Sequence, residues 1–437
     1  MTNKKKDPYQ ALRYKEFRAY VVSRFLITIA LTMQAVIIGY EIYELTNSKL
    51  LLGFIGLTEA IPAIGNALYG GYVADKSEKR SMLVAFISMY TLMCIALLFL
   101  TNSTVISQLG TQTVVILIFI IIFLTGIVRS FSGPASFGLS AQIIPREVYQ
   151  SAITWSSAAW QSGAVLGPAV GGILLGTLGI TYTFGIIVFF LCIAVFSLLQ
   201  IEKKPVQFVP KDETIYESAM QGLKFVFENK VILSCITLDL FAVLFGGAVA
   251  LLPVYAKDIL HVGAEGLGLL RAAQAIGAIF MLMILAYYPI KKHAGIILLA
   301  AVFGFGVFIL LFGISTYFWF SMFCLIMSGA LDGISVSIRH TIVQLSTPDN
   351  MRGRVSAVNS MFIGSSNEIG EFESGATASL MGTVPAVIFG GCMTCLVVIV
   401  TYFISPSIRK MELKHDSASE HILIFLSRNI SDIYMTD

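Results

Sequence analysis

The chain has 437 residues, 56 % of them apolar and only 13 % charged, with a formal net charge of +3 and a mean hydropathy of +0.82. A soluble domain carries about 25 % charged residues, so this chain lacks the charge to cover a water-facing surface, and lipid must be its solvent. The net charge of +3 is too small to point to a general nucleic-acid role, and no nucleic acid is expected as a partner.

Apolar runs of the length that crosses hydrocarbon, about 20 residues each, recur from Phe17 to Phe403. They predict twelve spanning helices at 17–45, 50–73, 81–101, 113–139, 151–176, 181–200, 231–256, 266–289, 294–315, 317–344, 355–382 and 385–404. The first run is too long for the apolar region of a signal peptide and lacks a cleavage site, so it is expected to remain as an anchor. The polar stretch from Gln200 to Lys230 divides the helices into two sets of six. Within it Ile215, Ala219, Leu223 and Val226 recur at helical spacing, which predicts a short amphipathic helix on the membrane surface. The expected organisation is a terminal segment 1–16, a six-helix bundle 17–200, a linker 201–230, a second bundle 231–405 and a tail 406–437.

Orientation follows from lysine and arginine. Only Lys49 and Lys257 lie at odd-to-even junctions, while the termini and the opposite loops hold all the remaining Lys and Arg outside the helices. Both termini are therefore expected in the cytoplasm, which demands an even number of crossings. A weak internal repeat agrees. Pro145-Arg146-Glu147 precedes the fifth helix and Pro348-Asp349-Asn350-Met351-Arg352 precedes the eleventh, and each opens a Gly- and Ser-rich helix.

Ionisable groups inside hydrocarbon cost roughly 2.5–3.5 kcal/mol each on insertion scales, so they are functional candidates by default. The acids read this way are Asp239, Asp332, Glu368, Glu371 and Glu373; the bases are Arg24, Arg129, Arg271 and Arg339. Glu368 and Glu371 are three apart and share a helix face, with Glu373 pointing elsewhere. Asp332 and Arg339 also share a face but stand too far apart for a direct pair. Gln34, Trp155, Trp160 and Gln161 are candidates for a cavity lining that suits an amphipathic ligand. The six cysteines all fall in apolar segments and read as packed thiols, including the C-x-x-C of Cys392 and Cys395. The five histidines make no ligand spacing, no phosphate-binding glycine loop occurs, and nothing pairs a nucleophile with a base. Neither a metal, nor a cofactor, nor an enzymatic activity is expected.

Gly163-Ala-Val-Leu-Gly167-Pro168-Ala-Val-Gly171-Gly172 sets glycines four apart on one helix face, where a neighbouring helix can approach backbone to backbone. The run resembles the helix-five motif of antiporters in the major facilitator superfamily. Gly71-Tyr-Val-Ala-Asp75-Lys76-Ser-Glu-Lys79-Arg80 resembles that superfamily's signature cytoplasmic loop, with Glu78 standing where glycine is common. There Gly71 would permit close helix contact. Asp75 would pair with a base or a helix N-terminus of the other half, as a clasp that holds one conformation closed. Arg129 followed by Gly133 resembles the superfamily's helix-four motif, which is associated with proton relay. Three further stretches, Tyr43 to Gly53, Leu252 to Gly268 and Pro348 to Val355, together with Ser366 to Gly375, are similar to the bacterial branch of enterobactin exporters and macrolide efflux permeases.

The resemblance spans roughly Phe17 to Pro406. It implies an all-α membrane protein of two pseudo-symmetric six-helix bundles that rock around a midplane site. It further implies a monomer in the inner membrane that exports a small organic molecule of the drug or siderophore class against proton entry, with Glu368, Glu371 and Arg129 as the coupling set. A metabolite importer or uniporter, a lysophospholipid flippase, and a non-transporting receptor or scaffold remain as alternatives.

Overall fold

The computed structural model describes residues 9–145, 148–206, 215–288, 290, 292–348, 351–409 and 411. Every regular element among them is a helix. The first half runs α1 (Lys15–Thr46), α2 (Lys49–Gly65), α3 (Ala67–Lys76), α4 (Lys79–Leu100), α5 (Ser103–Leu109), α6 (Thr111–Gln142), α7 (Tyr149–Leu178) and α8 (Ile180–Leu199). The connecting helix α9 (Ile215–Glu228) follows. The second half runs α10 (Lys230–Phe245), α11 (Leu252–Val254), α12 (Gly263–Tyr287), α13 (Ala294–Ile314), α14 (Phe318–Leu345), α15 (Arg352–Met381), α16 (Thr383–Ile404) and a closing turn, α17 (Pro406–Arg409).

Ten helices among the described residues are long and apolar enough to cross a bilayer. The other two of the twelve segments fall short for physical reasons. The second is broken in two. Pro62 lacks an amide hydrogen, and Asn66 turns its side-chain amide back onto the Pro62 carbonyl at 2.9 Å, which ends α2 before α3 begins. The eleventh, α15, is long enough at 30 residues but is rich in Ser, Asn and Glu. These two helices pack along one another, so the least lipid-like segments shield each other between the halves.

The packing repeats between the halves. Helix α1 lies on α7 and α8, as α10 lies on α15 and α16. The α2–α6 contact recurs as α12–α14, and α4 on α6 and α8 recurs as α13 on α14 and α16. The two main cross-contacts are likewise equivalent: α2 with α15, and α12 with α7. Even the junctions match. Gly179 (φ 80°) joins α7 to α8 and Gly382 (φ 95°) joins α15 to α16, each in backbone space that a side chain would strain.

Three expectations about local structure are corrected. The seventh span is not one helix: α10 stops before Gly246, and the chain continues through a 3-10 turn (Ala248–Leu251), α11 and a π turn (Tyr255–Ile259). Phe305 and the backbone of α15 at Gly370 press against Gly246 and Gly247, where a Cβ would not fit. The connecting helix forms as expected, but Leu223 and Val226 pack against Val343, Val355 and Val358, so this part of its apolar face covers protein. The Ile215 and Ala219 side chains lie outside the described residues. Gly71 is not a close-contact glycine, because a Cβ there would meet nothing within 4 Å. Its neighbour Gly70 is the tight position, where a Cβ would lie 2.9 Å from the Ser130 carbonyl carbon of α6.

The glycine run of α7 does bring backbones together, on two faces. A Cβ on Gly163 would lie 2.8 Å from Thr28, on Gly167 2.9 Å from the Ile29 carbonyl, and on Gly171 3.1 Å from Met33 Cα, so this face rests on α1. Gly172 turns the other way, where a Cβ would stand 2.5 Å from Gly268 Cα of α12. Helix α7 runs unbroken through Pro168.

The halves are shut at the end where α1 finishes. Gly172 meets Gly268 there, and Gly375 of α15 meets Gly53 of α2. Side chains reinforce this closure. Lys257 reaches Glu44 at 2.9 Å and the Asn47 side-chain oxygen at 3.3 Å, and the Tyr43 hydroxyl donates to Asp258. The π turn places Lys257 and Asp258 so that both engage the end of α1.

Candidate functional site

A cavity of about 210 Å³ lies between the halves, lined by residues of both. One turn after another of α2 supplies Leu52, Ile55, Gly56 and Glu59, and α15 supplies Asn367, Glu368 and Glu371 at helical spacing. Arg129 enters from α6 and Arg271 from α12, while the broken seventh span contributes Ala250 and Pro253.

Arg129 is the hinge point of the charges. Its Nη1 donates to Glu59 at 3.0 Å and to Glu368 at 2.7 Å. Glu59 belongs to the first half and Glu368 to the second, so one guanidinium ties the halves together across the cavity. The exposures differ usefully: the Glu368 side chain is 11 % exposed, against 34 % for Glu59 and 55 % for Arg129. The bond to Glu368 is therefore the drier and less screened of the two. Glu371, one turn further along α15, lays its carboxylate against Gly56, where a Cβ would come within 2.6 Å of it. It shares the cavity wall with Arg271. Arg271 itself makes no hydrogen bond or ion pair among the described residues, and its Nε is shut off from solvent without a partner.

The structure thus brings four of the expected intramembrane charges to one cavity: Glu368, Glu371 and Arg129 of the expected coupling set, and Arg271. It separates the others. Asp239 and Arg339 form a buried pair between α10 and α14, inside the second half. Arg339 also donates to Ser335 at 3.2 Å, and Asp332 lies on the same helix. Arg24 bonds the Tyr20 and Ser136 hydroxyls within the first half. Glu373 accepts from Thr377 on its own helix.

Of the cavity candidates, Gln34 is buried in the first half, where Cys94 donates to its oxygen at 3.0 Å together with Tyr90. Trp155 meets the Tyr9 ring at 5.7 Å. Trp160 is exposed and Gln161 half-buried, and neither lines this cavity.

In the signature loop the Asp75 side chain lies outside the described residues. Some contacts of the basic residues around it are local. Lys76 lies over the Tyr72 ring, and Lys79 donates to the Ala74 and Ser77 carbonyls. Arg80 satisfies the last carbonyls of α8, Leu199 at 2.9 Å and Leu198 at 3.3 Å. Glu78, the departure from the usual loop, caps α4 by accepting from the Arg80 and Ser81 amides at 3.0 and 2.7 Å. Partial burial works to raise its carboxyl, but the Ser81 and Arg80 bonds outweigh that and hold it below the usual carboxylate range.

Glu59 is the residue that sequence reasoning missed. The signal was present: an acid embedded in Ile55-Gly-Leu-Thr-Glu59-Ala-Ile-Pro62 satisfies the same intramembrane rule that selected Glu368.

Two packed six-helix halves with the same internal contacts and an ionisable cavity between them define a major facilitator transporter. Solved structures of that class superpose over most of the chain. A D-xylose–proton symporter matches at a TM-score of 0.68 with 15 % identity, covering 91 % of this chain and 98 % of its own. A nucleoside transporter matches at 0.71 with 12 % identity, covering 89 % and 100 %. Within the superfamily, the profile of the transmembrane secretion effector family matches residues 6–429, and the chain belongs to that family. The enterobactin exporter EntS of Shigella boydii serotype 4 (strain Sb227) is 23 % identical over 343 residues, 78 % of this chain and 80 % of the exporter. Its counterpart in Salmonella typhimurium (strain LT2) is 24 % identical over the same shares. The protein is a multi-pass membrane transporter and not an enzyme.

Proposed function

We propose that the chain is a secondary active exporter that moves a small, partly apolar organic molecule outward by alternating access, drawing on proton entry. The observation that carries this reading is the Arg129 bridge, in which one guanidinium is shared by carboxylates of the two halves beside a cavity. A proton on Glu368 would remove the charge from the drier bond and loosen the tie between the halves. Its departure would restore the tie. Glu371, on the same cavity wall as Arg271, completes the coupling set with Glu368 and Arg129.

The outward direction rests on the α7 glycine motif and on relatives that are named enterobactin exporters. A siderophore or a drug of comparable size is the cargo class. The lysine and arginine bias puts both termini in the cytoplasm of an inner-membrane protein. With that orientation the latched end faces outward, and the described conformation is closed to the outside. The halves correspond to 17–200 and 231–405, joined by the linker 201–230, and the working unit is a monomer.

The test is transport in oriented vesicles with and without a proton gradient. An acidic outer side should drive cargo movement in the wild type, and Glu371→Gln should abolish the driven component while cargo exchange persists. Transport that ignores the gradient would favour a uniporter, an importer or a lysophospholipid flippase.

A further inference from the structure

The cavity wall carries three carboxylates and two guanidiniums, and they are unequally used. Arg129 is bonded to Glu59 and Glu368. Arg271 has neither a hydrogen bond nor an ion pair among the described residues, although it lines the same cavity and its Nε is closed to solvent. Its counter-charge, Glu371, is held away from it, with the carboxylate fitted into the space that Gly56 leaves on α2. Glu371 supplies an opposite charge on the same cavity wall but makes no direct bond to Arg271 among the described residues. A planar fork of five donors, balanced in charge yet unbonded, suits an incoming oxyanion that can take two of them side by side.

We infer that Arg271 anchors the cargo by a carboxylate or comparable oxyanion group, an assignment that rests on the transporter reading above. At about 210 Å³ the cavity is smaller than a site for a whole drug-sized molecule. It takes the anionic head, and the apolar remainder of the cargo lies along the interface of the halves. Arg129 differs in that two carboxylates already bond its Nη1 and neutralise its charge by direct contact, which no group does for Arg271 among the described residues. An anion moving outward also travels with an inside-negative membrane potential, so such cargo adds to the drive for export.

The probes are 7-methoxycoumarin-3-carboxylate and its methyl ester, which share a ring system and differ in one negative charge. Fluorescence anisotropy with the purified full-length protein in detergent reads both affinities. The wild type should prefer the acid over the ester. Arg271→Gln should weaken acid binding at least tenfold and leave ester binding unchanged, which also reports that the variant is folded. Arg271→Lys should retain part of the acid preference, since charge survives but the fork does not. Equal affinity for acid and ester in the wild type, binding of neither, or undiminished acid binding by Arg271→Gln overturns the assignment. If the acid preference ignores Arg271 while Glu371→Gln still abolishes gradient-driven transport, the transporter reading stands and only the anchoring role falls.

Discussion

Glu368→Gln should free the closed end of the transporter. The substitution keeps the shape of the side chain and removes its charge, so the 2.7 Å bond from Arg129 persists only as a bond from a charged donor to a neutral amide oxygen. A hydrogen bond to a charged group contributes about 1.5–3 kcal/mol, and an exposed ion pair about 0–1. This bond stands between those limits, because Glu368 is 11 % exposed and Arg129 55 %. Glu59 remains to hold Arg129 at 3.0 Å within its own half, so the loss falls on the tie between halves. A cost of about 1–2 kcal/mol is a factor of roughly 5–30 in a two-state equilibrium. The assay is modification of a single introduced thiol. Ala264 is 8 % exposed on α12, close against Gly172 of α7 at the latched end. In a background without the six native cysteines, Ala264→Cys should react slowly with an impermeant maleimide added to that side. Adding Glu368→Gln should speed the reaction by the factor above. An unchanged or slower rate would refute the view that Arg129 holds the halves in this state.

A packing contact, a buried ion pair and a helix cap make three further predictions. Gly172→Leu should keep the α7–α12 seam from closing, since even a Cβ would lie 2.5 Å from Gly268 Cα, and overpacking costs about 1–3 kcal/mol. The Ala264→Cys probe should then react quickly with no further change. Asp239→Asn should lower thermal stability by about 3–5 kcal/mol, because it leaves Arg339 buried beside an uncharged partner; a melting curve in detergent reads this. Glu78→Ala should cost about 1 kcal/mol through the lost cap of α4. Because the Glu78 carboxyl is held below its ordinary value, its contribution is full above about pH 4.3 and is lost as the pH falls through its folded value. The difference between wild type and Glu78→Ala should therefore shrink on acidification.

Much of the architecture was legible because lipid imposes few solutions. The length of the apolar runs, the lysine and arginine bias and the α7 glycines all follow from the bilayer and from backbone approach, and both are local properties of sequence. The breaks were harder to see. Nothing in the run from Val231 to Ala256 shows that α15 and Phe305 will press on Gly246 and Gly247 and end a helix there. The amphipathic pattern of α9 was plain, but pattern alone does not distinguish a lipid surface from the valines of α14 and α15 that receive its face.

The same limit applies to the charges. Composition identifies intramembrane acids and bases, yet which ones meet is decided by tertiary contacts between helices far apart in the chain. Asp239 and Arg339 are 100 positions apart and close a pair within one half. Arg129 and Glu368 are separated by 239 positions and join the two halves. Glu59, three residues before a helix-breaking proline, meets Arg129 because α2 packs on α6.

Alternation itself is tested most directly by two distances measured in one protein. Spin labels at Asn47 and His261 would report the latched end, and labels at Ser77 and Leu345 the opposite end, each pair spanning the two halves. Alternating access predicts that acidification or cargo lengthens the first distance and shortens the second in matched proportion. Two distances that stay fixed under every condition, or that grow together, would contradict it.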